Sequence, residues 1–88
     1  MSNFTGMDIA GVRQMSTQMD TAAGEIEGIM GRLTSVLDGT QWVGNDATNF
    51  RAEWTGAHSA SLRQISERLR QVSQIARQNA DQQEATSA

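Results

Sequence analysis

No cysteine, proline or tyrosine occurs among the 88 residues. Without cysteine there is neither a disulfide staple nor a thiolate metal site. The single histidine leaves zinc without a ligand set, so no metal is expected. With no proline, nothing forbids long uninterrupted helices. Lysine is missing too, so all seven cationic residues are arginine, and the net charge of −3 argues against nucleic acid as a partner. No apolar run approaches the roughly 20 residues of a membrane span, so stable membrane insertion is not expected. The N-terminus lacks a basic segment followed by an apolar one, so any export would use a route independent of a signal peptide. On that reading the Asn3-Phe4-Thr5 glycosylation sequon is a coincidence. General acid–base chemistry needs an oriented partner and a pocket. The lone His58 suggests neither, so no catalytic residue, no cofactor and no enzymatic activity are expected.

What is present is mostly helix former, in the pattern of two long helices. Val12, Met15, Met19, Ala22, Ile26, Ile29, Leu33 and Val36 alternate at steps of three and four, a heptad seam. Ile9, Ala23, Met30 and Leu37 fall on the neighbouring line. A two-stranded seam needs only one such stripe, so the widened stripe implies that helix 1 touches more than one neighbour. The methionines Met15, Met19 and Met30 read as core filling on this stripe. The expected helix spans about residues 6–38, with Thr5 as N-cap, Asp8 three residues on, and Phe4 against Ile9 as a hydrophobic staple. Gly39 would end it in the left-handed conformation.

The second helix is expected over about 46–82, started by Asn45 with Asp46 against the helix dipole. Its buried line is Ala47, Phe50, Trp54, His58, Leu62, Ile65, Leu69, Val72 and Ala76. Three successive steps of four near its start shift the register, as a stutter does. His58 on this line reads as an interface histidine. Residues 83–88 read as a fraying end or tail. A hinge at 39–45 makes the two helices antiparallel neighbours. A domain of this size buries only about 60% of its unfolded surface, so a partner chain is the natural source of stability. The fold class is therefore all-α: a helical hairpin, two of which form a four-helix bundle.

Smaller patterns flank these stripes. Arg63, Arg70 and Arg77 recur every seven residues, as do Asp20 and Glu27. They read either as pairs that set the register across a dimer interface or as a solvated face. Gly24, Gly28 and Gly31 line the opposite side of helix 1 with Thr17, Thr21 and Ser35. A close neighbour or a merely smooth face would account for them.

The hinge carries the identity. Gln41-Trp42-Val43-Gly44 is followed by Ala47, Phe50 and Trp54, midway along a short helix–turn–helix chain. This pattern resembles the WXG (Trp-X-Gly) family, the early-secreted-antigen-like proteins of type VII (ESX-type) secretion in actinobacteria and firmicutes. The resemblance covers essentially the whole chain. It implies a helical-hairpin dimer, with an identical or related chain, exported folded through a membrane-embedded secretion ATPase. Trp42 and Gly44 would supply the turn half of a two-part export signal, with Phe50 and Trp54 as its aromatic support. The tail half, Tyr followed four residues later by an acid, is degenerate here: Asp81 suits the acidic place, but Arg77 stands where Tyr belongs. The chain would then leave with a partner that completes the signal, or be recognised differently. Two other classes compete. One is a cytosolic adaptor that chaperones a co-secreted effector or toxin; the other is a membrane-active helical protein, which the negative charge disfavours.

Overall fold

The computed structural model describes residues 6–87. They form a rod of 63 × 18 × 15 Å, built from two antiparallel helical runs joined by a turn at 40–44. The first run is α1 (Ile9–Gly39). The second comprises α2 (Asn45–Glu53), a π-helical turn (Trp54–His58) and α3 (Ser59–Ser87). No strand occurs among the described residues.

The helix ends differ from the expected ones, for local reasons. Asp8 is the N-cap of α1, and its carboxylate accepts the Gly11 N–H at 3.0 Å. A side chain at Gly11 would collide with that carboxylate, so the glycine admits the cap. Helix 1 thus starts three residues later than about 6, and the expected Thr5 cap and Phe4 staple lie outside the described residues. At the other end Gly39 remains helical, and Thr40, in extended conformation, is the C-cap. The Thr40 hydroxyl donates to the Val36 carbonyl at 2.6 Å, meeting a need that a left-handed glycine would otherwise serve. Asn45 is the first residue of α2 rather than its cap; Gly44 holds that position. The expected tail at 83–88 is helical through Ser87, because Arg13 reaches both Asp81 and Glu84 and nothing in the sequence stops the helix.

The register shift anticipated from the repeated fours is real, and it is made by a π-turn. The Ser59 N–H donates to the Trp54 carbonyl five residues back. This wider turn lets the buried line step from Trp54 directly to Ser59 and continue through Ser66, Ser73 and Ala80. His58 is consequently rotated off the buried line, with its side chain 52% exposed and Nε2 3.5 Å from Glu53 Oε1. The expected placement of His58 on the buried line of the second helix fails for this reason.

The contact between the two runs is made by small residues. Ser16 and Ala23 of α1 are buried, as are Ser59, Ser66, Ser73, Ala76 and Ala80 of α3. The Ser73 hydroxyl donates across the seam to the Ser16 carbonyl at 2.9 Å. The largest side chains that are fully buried are serines: Ser16, Ser66 and Ser73. Ile9, Met30 and Leu37 extend the Ser16–Ala23 line and are half-buried, as are Val12, Met19, Ile26 and Leu33 beside it. The third line of the stripe stays out of the seam: Met15 is 39% exposed, Ile29 50% and Val36 59%. On α3, Leu62, Leu69 and Val72 are half-buried, and Ile65 is 49% exposed.

The two edges of the hairpin have opposite characters. Along one, Arg13 pairs with Asp81 and Glu84, Asp20 with Arg77 and Glu27 with Arg70, at 2.8 to 3.0 Å. The heptad-spaced Asp20, Glu27, Arg70 and Arg77 therefore pair within one chain, in place of the cross-dimer pairing considered from the sequence. Arg63 is exposed. The other edge is apolar and open, with a groove of about 330 Å³ lined by Met19, Ile65, Arg68, Leu69 and Val72.

A hydrogen bond from Arg77 holds the Asp20 carboxyl below its ordinary range. Arg70 does the same for Glu27, and Arg13 for Glu84. Each group thus binds its proton more weakly in the folded chain than in the unfolded one. Its stabilising contribution is complete above the ordinary carboxylate range near pH 4 and is lost as pH falls through the depressed values. The melting temperature is expected to be flat between pH 6 and 8 and to fall below about pH 4.5, less steeply in about 0.5 M salt. Thermal melts followed by circular dichroism across that range check this. A melting temperature that rises on acidification would refute the pairing.

Candidate functional site

The turn end of the rod brings together Trp42, Gly44, Ala47, Phe50 and one residue the sequence did not single out, Arg51. Gly44 has φ 121° and ψ 177°, the only positive φ among the described residues. That region is essentially closed to any residue with a Cβ, so backbone conformation is what requires glycine here. Open space surrounds the position of a hypothetical Cβ, so steric contact is not the reason. The Gly44 carbonyl accepts the Thr48 N–H and opens α2, and Ala47 is tucked in at 1% exposure. Before the glycine, the Trp42 N–H donates to the Thr40 carbonyl at 2.9 Å, folding the chain tightly at Gln41.

Arg51 is the hub of this turn. Its guanidinium donates to the carbonyls of Trp42 at 2.6 Å, Leu37 at 2.9 Å and Thr40 at 2.9 Å. It therefore closes one of the open carbonyls at the end of α1 and two in the turn itself. Its Cζ lies 5.7 Å from the centroid of the Trp42 ring, within cation–π range. Nothing in the sequence advertised this, because all three acceptors are backbone atoms.

Trp42 is thereby held at the surface. It is 41% exposed and its neighbour Val43 is 81% exposed, so the tip of the rod is apolar. The Trp42 ring stands 6.4 Å from Phe50, tilted by 48°, and Phe50 stands 6.3 Å from His58. These three rings form a continuous ridge running from the turn along α2. The π-turn contributes to it: eight residues make about two full turns when one of them is π-helical, which returns His58 to the side of Phe50.

Trp54 does not join the ridge. It points inward at 8% exposure, and its indole N–H donates to Thr34 Oγ1 at 3.0 Å. Of the expected aromatic supports, Phe50 flanks Trp42 and Trp54 fastens α1 to the second run. Arg77 and Asp81 lie toward the far end of the rod, each engaged with α1. Within one chain the hinge and the degenerate tail motif therefore do not meet. The Gly24–Gly28–Gly31 side of α1 is exposed, and its groove of about 550 Å³ is lined by Thr21, Gly24, Glu25, Gly28, Ile29 and Arg32.

Among the described residues no helix is long and apolar enough to cross a membrane, and no three His, Asp or Glu side chains are grouped as a metal site requires. Comparison with protein-family models, curated proteins and solved structures gives no match.

Proposed function

We propose that this chain is a non-enzymatic, WXG-type export partner of a type VII (ESX-type) secretion system. It works as one hairpin of a four-helix bundle, whose other hairpin is a second copy or a related chain. The secretion ATPase recognises the assembly and exports it. The observation that carries this reading is the turn: each residue of the Trp42-X-Gly44, Ala47, Phe50 pattern has a distinct physical task in presenting an apolar tip. Gly44 supplies the backbone angle, Ala47 the space beneath the turn, Phe50 the ring beside Trp42. The dimer is supported by the open apolar edge, where Met15, Met19, Ile29, Ile65, Leu69 and Val72 leave large surface uncovered while serines fill the seam. Full burial of such a side chain from full exposure is worth roughly 1.5–3 kcal/mol, so covering the part that remains open favours association.

A second reading is favoured by one observation. Arg77 and Asp81 are both committed to ion pairs with α1, which suits an adaptor that stays in the cytosol and carries a co-secreted effector or toxin. Fractionating a type VII-competent host that expresses the tagged chain separates the two. The export reading expects the wild type in the medium and Trp42→Ala retained inside, still associated with its partner. A wild-type chain found only in the cytosol, with its partner in the medium, would replace export by the adaptor function.

A further inference from the structure

We infer that Arg51 is the positioning residue that holds Trp42 in its presented conformation. The inference rests on the reading of the turn as the recognised surface, and it deepens that reading by naming what fixes the surface.

Residues 40–44 lie between two helices and contain a glycine, so a turn of this composition is free to sample many conformations. Within it only the Trp42 N–H to Thr40 bond is internal backbone structure, apart from the bond that opens α2. Apart from the Thr40 hydroxyl on the Val36 carbonyl and Phe50 beside the Trp42 ring, the hydrogen bonds that order the turn come from Arg51. Three hydrogen bonds from one guanidinium tie Leu37, Thr40 and Trp42 to α2, and the same group lies against the Trp42 ring. The planar fork is essential: three carbonyls in different directions match a guanidinium, whereas a lysine ammonium is a compact point charge on a flexible stem. Arg51 is also half-buried, so its donors are partly withdrawn from competing water.

The test uses the full chain in its associated form, labelled with 5-fluorotryptophan. Its two fluorine resonances, from Trp42 and Trp54, are assigned with Trp42→Phe. In Arg51→Ala the Trp42 resonance is expected to move toward the free-indole position with a larger solvent-isotope shift. The Trp54 resonance and the helix content should stay at wild-type values. Arg51→Lys keeps the charge and the aliphatic stem, and it should behave like Arg51→Ala, because charge near the end of α1 is not the requirement. A Trp42 resonance unchanged in both variants overturns the proposal. So does full restoration by lysine, which would reduce Arg51 to a helix-dipole charge. Should Arg51→Ala lose helix, the lysine variant alone decides by the same criterion.

Export is measured on the same variants. A mobile Trp42 together with export reduced by about tenfold or more, as loss of several charge-assisted hydrogen bonds implies, supports the whole account. A mobile Trp42 with export unchanged upholds Arg51 as the residue that orders the turn and overturns the turn as the recognised surface.

Discussion

Replacing Trp54 with alanine is expected to destabilise the folded hairpin by about 3–5 kcal/mol, the range for removing a large aromatic from a packed site. Trp54 is the one large side chain in a buried set otherwise made of serine and alanine, so its truncation removes more buried volume than any other in that set. It also donates to Thr34 at the point where the π-turn begins, so the loss removes a fastening between the two runs as well as volume. Trp54→Phe separates the two contributions. It retains most of the ring and loses the indole N–H, and it should cost about 1 kcal/mol, because exposed Thr34 can turn to water. Melts followed by circular dichroism read both variants. A domain of this size loses roughly 4–8 °C per kcal/mol, so Trp54→Ala should melt at least about 12 °C lower. A melting temperature within a few degrees of wild type would show that the Trp54 contact contributes little.

The second large effect concerns the open apolar edge. In a single hairpin Ile29 and Ile65 are half-exposed, so an aspartate at either position has little to disturb within the chain. In a four-helix bundle the same aspartate enters an apolar interface without a partner. Ile29→Asp and Ile65→Asp are therefore each expected to weaken association by at least about 100-fold, or about 2.7 kcal/mol, through burial of an unpaired charge. Helix content should fall along with association. Gln78→Glu, which adds a charge at an exposed position, is the control and should leave association unchanged. Sedimentation of the three variants over a concentration series checks this. Unaltered association in both aspartate variants would place the interface elsewhere.

Much of this architecture is legible in the sequence because helical periodicity is carried by side chains. The 3–4 spacing marks both helices, and the three steps of four mark the place where the π-turn forms. What escaped is physically consistent. A search for large apolar residues picks the Val12–Met15–Met19 seam, whereas α1 meets α3 along Ser16 and Ala23, because small residues let two helices approach. The large residues beside that line stay half-buried or exposed in the hairpin. The ends of α1 escaped because the cap is Asp8, and because Thr40 and Arg51 satisfy the carbonyls that Gly39 was expected to serve. Arg51 itself escaped because its acceptors are main-chain oxygens, which leave no trace in residue type. His58 was misplaced by a single step: a seam read without a π-turn puts it inward, and one extra residue per turn puts it beside Phe50.

The central claim is that this hairpin is half of an assembly, and the most direct test couples mass to folding. Light scattering and circular dichroism are recorded on the same purified samples over a hundredfold range of chain concentration. The account predicts that full helicity appears only with a particle of at least twice the chain mass, and that the melting temperature rises with concentration, as linkage requires. A chain that needs a related partner would stay poorly helical alone and gain helix when that partner is added. A fully helical monomer that melts cooperatively at one temperature across the whole range would contradict it.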